Sequence, residues 1–271
     1  MSKKKVSLLK IKTLFGQRAV LLQPGPMEGE ILPPGPTLVV SDLHIGFEEK
    51  FKSSGINIET NISKMAEELE ALIDQNHTDT LIIAGDVKSG IDRIMQSEWE
   101  NVPKFLNRIS KRCHITIVPG NHDGGLQNLT PESVQIADIN GIAIEDTLII
   151  HGHTRPLAKF KDCTRVLMGH VHPIFQKRGN PLSGSPVWAF VRVSKKALFQ
   201  DIIGEEEAMV EVIVLPSFNS DLTVSGYYGE EINAERRQSP IVRELRSAPE
   251  AIITTLNAEV IGDTALLPSI F

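Results

Sequence analysis

Six of the eight histidines in this 271-residue chain stand in short polar motifs, each directly after an apolar run. In chain order the motifs are DLH at 42–44, GD at 85–86, GNHD at 120–123, HGH at 151–153 and GHVH at 169–172. Carboxylates, imidazoles and an amide oxygen, without a thiolate, suit manganese, iron or zinc and disfavour a structural zinc site. They outnumber the ligands of one ion, so the inventory fits two ions bridged by a shared carboxylate. Any one motif alone is also ordinary cap or turn chemistry; their joint occurrence carries the signal.

The apolar runs that precede these motifs predict the elements that position them. Three short runs rich in β-branched residues lead into Asp42, Asp86 and the GNHD motif, and each predicts a buried strand. Between them, Ile62–Gln75 has apolar residues at helical spacing, and 97–111 suits a second helix with Ser97 as its N-cap. The carboxyl ends of such strands share one sheet edge, so the motifs are expected to converge there.

The chain changes character after residue 123, where short strands joined by turns are predicted. They lie around 134–137, 142–150, 165–169, 187–193 and 209–215, and Asn140-Gly141 is a hairpin signal. The Pro- and Gly-rich stretch 23–36 predicts a loop. A single α/β domain is expected over 1–271, with a motif-bearing part at 37–216 and a C-terminal extension at 217–271. That extension would close the second sheet or form a subunit contact, and its Tyr227 and Tyr228 are interpreted as packing residues rather than a base-stacking platform.

Composition and charge narrow the classes of partner. A net charge of −6 argues against a protein that coats nucleic acid along its whole surface. Residues 155–200, however, carry nine Lys or Arg against one acidic residue, which is either a solvated face or a field that attracts an anionic substrate. No apolar run reaches the roughly 18 residues of a membrane span, and basic residues interrupt any signal-peptide core. We expect a cytoplasmic protein with no membrane partner and two reduced cysteines; the oligomeric state stays open.

The order of the motifs, over residues 41–173, resembles the calcineurin-like metallophosphoesterases, whose series is D-x-H, G-D, G-N-H-(D/E), H and G-H-x-H. SDLHIGFE, GDVKSG, PGNHDGG, IIHGH, MGHVHP and VLPSFN resemble the small prokaryotic phosphoesterases that include the DNA-ligase-associated group. The resemblance implies a four-layer sandwich of two mixed β-sheets flanked by helices. It also implies hydrolysis of phosphoesters by a hydroxide that bridges two divalent ions, with manganese expected and iron, zinc or nickel as alternatives.

The resemblance also assigns a role to each motif residue. Asp42, His44 and His172 would bind one ion, Asp86 would bridge both ions, and Asn121, His151 and His170 would bind the other. His122 takes the general-acid position, with Asp123 as the residue that orients it. His153 has no standard ligand role; contact with phosphate, support of a ligand and a turn position at the rim stay open. Arg155 is a candidate phosphate contact or a surface charge.

One departure from the family bears on the substrate. The protein phosphatases carry a GDxxDRG-type motif and GNHE, whereas this chain has GDVKSG and GNHD. The arginine that grips a phosphomonoester dianion is therefore missing from that place, and phosphodiesters are favoured. Two kinds of candidate substrate remain: nucleic acid, and a small cyclic nucleotide or nucleotide diester. The alternatives are a phosphomonoesterase and a catalytically weak metal-binding interaction scaffold.

Overall fold

The computed structural model describes residues 9–24, 35–49, 55, 60–201, 208–224 and 239–271, and within them the chain forms two mixed β-sheets. The first sheet has its strands in chain order, antiparallel from β1 to β3 and parallel from β3 to β6. Its strands are β1 Lys10–Thr13, β2 Val20–Gln23, β3 Thr37–Val40, β4 Thr80–Ile83, β5 His114–Ile117 and β6 Val134–Ile136.

The second sheet has the spatial order β13-β12-β10-β11-β9-β8-β7. Strands β8, β9 and β11 are parallel to one another. All other neighbouring pairs of this sheet are antiparallel. Its strands are β7 Ile142–Ile144, β8 Thr147–Ile150, β9 Arg165–Met168, β10 Val187–Ser194, β11 Met209–Val214, β12 Glu250–Thr255 and β13 Val260–Gly262.

Three apolar clusters define the layers. One lies between the sheets and includes Val39 and Ile82 of the first sheet and Trp188 of the second. A second packs the first sheet against two amphipathic helices, and a third packs the second sheet against three short ones. The helices are α1 Ile62–Gln75, α2 Gln96–Ile109, α3 Lys195–Leu198, α4 Asp221–Val224, α5 Pro240–Arg246 and α6 Leu267–Ile270. The predicted four-layer sandwich is confirmed.

Several sequence-based expectations need correction. Helix α2 begins at Gln96, so Ser97 lies inside it; the cap is closed by the Glu98 side chain, which accepts the N–H of Met95. The prediction of a hairpin at Asn140-Gly141 is wrong, because that turn connects β6 of one sheet to β7 of the other. Asn-Gly specifies a left-handed turn, but whether the flanking strands pair is decided by packing.

The ends of the chain were less well predicted than the middle. Strands β1 and β2 have short, irregular apolar patterns and were not predicted. Strands β12 and β13 extend the second sheet, so the described part of the C-terminal extension closes that sheet. Most of the loop 23–36 and both tyrosines of the extension lie outside the described residues. No helix in the described ranges is long and apolar enough to cross a membrane.

Candidate metal centre

The first group of candidate ligands lies where β3 and β9 end. Asp42, His44 and His172 are buried, and each offers a ligand atom within 4.8 Å of the others. His172 Nε2 lies 3.2 Å from Asp42 Oδ1 and 3.3 Å from His44 Nε2. The backbone N–H of His170 donates to the Asp42 carboxylate at 3.1 Å, which ties the loop after β9 to the loop after β3. Strands from both sheets therefore contribute to one group.

A second group lies beside the first, at the ends of β4, β5, β8 and β9. Asp86, His151 and His170 form it, with ligand atoms again within 4.8 Å of one another. His151 Nε2 lies 3.1 Å from Asp86 Oδ2 and 3.2 Å from His170 Nδ1. Asn121 joins this group, with its Oδ1 3.1 Å from the same His151 nitrogen.

Asp86 links the two groups, because it also forms a third set of potential ligands with His44 and His122, again within 4.8 Å of one another. Its Oδ2 lies 3.4 Å from Nε2 of His44 in the first group and 3.1 Å from Nε2 of His151 in the second. Its other oxygen accepts the backbone N–H of His122 at 2.9 Å, which fixes the rotation of the carboxylate. A carboxylate held in this way can serve two cations at once.

The backbone of the ligands is itself unusual. Nine non-glycine residues of the described ranges have φ in the left-handed region, and five of these are predicted ligands. Such angles cost side-chain-bearing residues energy, and they persist where the surrounding structure imposes them. Here they occur in the segments that directly follow β3, β4 and β9. The five are Asp42, His44, Asp86, His170 and His172.

Two glycines make room for this arrangement. A Cβ on Gly120 would lie 2.1 Å from Asp86 Oδ1, and a Cβ on Gly169 would lie 2.5 Å from Asp42 Oδ2. Both distances are far below van der Waals contact. The glycines of the GNHD and GHVH motifs are therefore needed for close approach to the two carboxylates.

The protonation of the groups favours a cation. Burial raises the pKa of Asp42, but the charges of His172 and His151 outweigh it and lower the pKa to about 2. For Asp86, too, burial is outweighed by His151 and the other histidines, and its pKa falls well below the usual value. Burial lowers the pKa of His170 to about 3 and that of His44 well below 6.5. Ionised Asp42 and Asp86 beside neutral His44 and His170 are in the protonation states that metal binding requires.

His151 differs from the other ligands in its protonation. Burial acts to lower its pKa, but Asp86 and Asp42 outweigh it and raise the pKa to about 9. Its Nδ1 lies 3.0 Å from the carbonyl oxygen of Ala84, so Nδ1 is the protonated nitrogen in the ring and Nε2 is left for the ligand position. The raised pKa means that Nε2 also holds a proton, which faces Asp86. A cation between His151 and Asp86 would take the place of this Nε2 proton.

His122 lies at the centre, next to the shared carboxylate. Its Nε2 is 3.8 Å from Asp86 Oδ2, and its Nδ1 donates to the carbonyl oxygen of Ser89 at 2.6 Å. The sequence-based expectation was that Asp123 would orient this ring. The Asp123 carboxylate instead accepts four backbone N–H groups, from residues 86, 87, 88 and 120, at 2.8 to 3.4 Å. Asp123 thus joins the loop after β4 to the turn after β5, and a backbone carbonyl holds the ring.

His153 and Arg155 lie at the edge of the centre rather than in either group. The ring of His153 is centred 5.5 Å from the ring of His151, and burial lowers its pKa to about 4. Arg155 forms an ion pair with Glu244 at 2.9 Å. Both residues line a cavity of about 640 Å³ that also includes Lys196, Gln200 and Asp201.

Two residues of the hydrogen-bonded structure around His122 were not identified from the sequence. Ser89 contributes only its backbone, which leaves no side-chain signal. Glu98 does carry a side-chain signal. It occupies the apolar stripe of α2 together with Val102, Phe105 and Ile109, and it is fully buried. A charged residue at a core position of an amphipathic helix is an indicator that pattern reading can use.

Comparison with known proteins agrees with this geometry. The sequence model of the calcineurin-like phosphoesterases matches residues 35–193, more than half of the chain. The chain belongs to this family. Membership implies a metal-dependent hydrolase, and the two Asp- and His-containing groups could each hold a divalent ion. Among curated proteins none matches the chain.

Two solved structures are similar to this member of the family. The nuclease MPE of Pseudomonas putida has 21% sequence identity and a TM-score of 0.45, covering 78% of this chain and 87% of that one. Yfce, a phosphoesterase from E. coli, has 15% identity and a TM-score of 0.36, covering 85% of this chain and 98% of that one.

The residues present fit a pair of divalent ions. The donors are carboxylate, imidazole and amide oxygen, which suit borderline-hard ions, and no cysteine lies among them. Among the ion pairs of the described residues, the buried, ionised Asp42 and Asp86 have histidine partners but no lysine or arginine partner. Two buried negative charges of this kind require compensation.

Proposed function

We propose that this protein is a binuclear metal-dependent phosphodiesterase. The observation that carries the proposal is the pair of ligand groups that meet at Asp86, each built from both sheets. One ion would be held by Asp42, His44 and His172, the other by Asn121, His151 and His170, and both by Asp86. The oxygen and imidazole donors suit manganese, with iron, zinc or nickel as alternatives.

The ions, when bound, would lower the pKa of an attacking water and neutralise charge on the phosphoryl oxygens. The protein supplies the proton for the leaving group. Nδ1 of His122 donates its proton to the Ser89 carbonyl, so the ring would act as a general acid in its imidazolium form, from the proton on Nε2. His122 is buried and its Nε2 lies 3.8 Å from the Asp86 carboxylate, which supports a role for this ring at the phosphoester.

Charge near the centre supports a diester over a monoester substrate. A phosphomonoester dianion carries one charge more than a diester and needs additional cationic groups. Two cations near the centre are already engaged: Lys88 donates to the Gly90 carbonyl, and Arg155 pairs with Glu244. The cavity lined by His153 and Arg155 lies beside His151 and is large enough to take one ester group of a diester.

A substrate panel tests this proposal. The protein is loaded with manganese and assayed on bis(p-nitrophenyl) phosphate, p-nitrophenyl phosphate, cyclic nucleotides, nucleotide diesters, and single- and double-stranded DNA, with metal content measured in parallel. We expect two ions per chain and turnover of diesters above monoesters. Activity confined to monoesters would reject the diester preference, and two bound ions without turnover of any ester would favour the interaction scaffold.

The role of His122 is tested by the leaving group. His122→Ala should keep both ions and lose activity on alkyl diesters by about 10²-fold or more, because their leaving alkoxide needs a proton. Nitrophenyl diesters should be affected much less, since nitrophenolate leaves unprotonated. His114→Ala is the control, because His114 is exposed at the far end of β5. Equal losses on both substrates would remove His122 from the general-acid role.

A further inference from the structure

We propose that Glu98 is a positioning residue for catalysis, acting on His122 through a single peptide group. The inference rests on the proposed general-acid role of His122. Glu98 belongs to helix α2, outside every polar motif of the sequence, and its side chain is completely buried. Burial of a carboxylate is costly unless its oxygens are well satisfied, so its bonds indicate what it is for.

The bonds of Glu98 go mainly to the loop that faces His122. Its Oε1 accepts the backbone N–H of Ser89 at 2.8 Å and that of Gly90 at 2.6 Å. Its Oε2 accepts the N–H of Met95 at 2.7 Å, which closes the N-terminus of α2. A helix cap alone would need only the last of these bonds. The two bonds of Oε1 lie outside the helix and require another explanation.

The peptide group between Ser89 and Gly90 provides that explanation. Its N–H, on Gly90, donates to Glu98 Oε1, and its carbonyl oxygen, on Ser89, accepts from His122 Nδ1 at 2.6 Å. A negatively charged acceptor on the N–H side polarises a peptide and strengthens its carbonyl as an acceptor. The carboxylate of Glu98 thus reaches the imidazole ring through one amide, in the role expected of Asp123 from the sequence.

The loop is also held from other sides, so the relay has a fixed geometry. The buried side chain of Lys88 donates to the carbonyl oxygen of Gly90. Asp123 accepts the backbone N–H groups of Val87 and Lys88, at 2.9 and 3.4 Å. A Cβ on Gly90 would lie 2.5 Å from the carbonyl oxygen of Arg93, so the loop closes on itself without space for a side chain.

Replacement of the charge tests the relay. Glu98→Gln keeps the size of the side chain but cannot accept all three N–H groups, because one oxygen becomes an NH2 donor. We expect turnover of an alkyl phosphodiester to fall about tenfold, part of the roughly 10²–10⁴-fold that a general acid supplies, with KM little changed. Turnover of bis(p-nitrophenyl) phosphate should stay within about threefold. Glu100→Gln, the same change at an exposed site of α2, is the matched control and should alter neither.

A spectroscopic readout separates positioning from a loss of fold. In the zinc-loaded protein, the Nδ1–H proton of His122 should resonate far downfield because of its short bond to Ser89, and Glu98→Gln should move it upfield. Glu98→Asp, which keeps the charge but shortens the reach, serves as a second variant and should give the same selective loss. Thermal unfolding and metal content are measured for each variant.

The outcomes distinguish this inference from the proposed function. His122→Ala is assayed beside the Glu98 variants. Suppose that His122→Ala selectively loses activity on alkyl diesters. The relay is then rejected if both folded Glu98 variants lose activity on the two substrates equally, or if they leave the His122 resonance unmoved. If His122→Ala itself shows no selectivity, the general-acid role fails first and the relay with it. Selective loss in all three variants, with the shifted resonance, supports the relay.

Discussion

Gly120→Ala is the sharpest single test of the shared carboxylate. Gly120 belongs to the GNHD turn, and its φ lies outside the left-handed region, so an alanine there introduces no backbone strain. The added methyl group would, however, lie 2.1 Å from Asp86 Oδ1 and 2.6 Å from the Asp86 backbone nitrogen. The perturbation is therefore steric and is directed at the residue that both ligand groups use.

The size of the effect follows from these distances. Ordinary contact begins at 3.4 Å, so the carboxylate or the turn must move apart by about 1.3 Å. Displacement of a catalytic group by about 1 Å costs roughly 10²-fold in rate. Overpacking of a buried site also costs about 1–3 kcal/mol of stability. We expect kcat/KM on bis(p-nitrophenyl) phosphate to fall about 10²-fold and metal content to drop below two ions per chain.

Gly124→Ala is the matched control for this experiment. Gly124 lies four residues further along the same turn, and the nearest atom to its added Cβ is the Ile91 carbonyl oxygen at 3.8 Å, an ordinary contact. That variant should keep wild-type metal content and activity. Metal is measured by mass spectrometry after desalting, and folding by thermal unfolding. A folded Gly120→Ala protein with two ions and activity within about threefold of wild type would refute the placement of Asp86 between two ions.

Two further predictions concern stability. Removal of metal by a chelator should lower the midpoint of thermal unfolding, since an ion at 100 times its Kd adds about 2.7 kcal/mol to the free energy of unfolding. The chelator should shift the midpoint of Asp86→Asn by less. An unchanged midpoint of the wild-type protein would contradict metal binding. At the α1–α2 contact, hydrogen bonds from Arg108 and the charges of Arg108 and Arg112 lower the pKa of Glu70. Their stabilisation is present above the unfolded carboxyl pKa and lost as pH falls through the lowered value. Urea unfolding should show a difference between wild type and Glu70→Gln at neutral pH that disappears in acid; a constant difference would contradict it.

Local patterns predicted the central elements of the fold well. The bounds of α1, Ile62–Gln75, are confirmed because its apolar residues recur at helical spacing over four turns. Strands β3, β4 and β5 are present where predicted, but each ends two to five residues before its motif residues. The ligands lie on the turns that follow, where five of them take left-handed φ angles that no pattern of residue types indicates.

The sequence by itself determined the family, the layered α/β class and the types of donor, because these depend on residue type, order and period. Tertiary structure alone decided how the donors meet. The shared position of Asp86, the use of Asp123 to tie two loops, and the bond from His122 to the Ser89 carbonyl all depend on chain segments far apart in sequence. Backbone groups carry no side-chain signal, so a site built on them becomes visible only after the sheets are packed together.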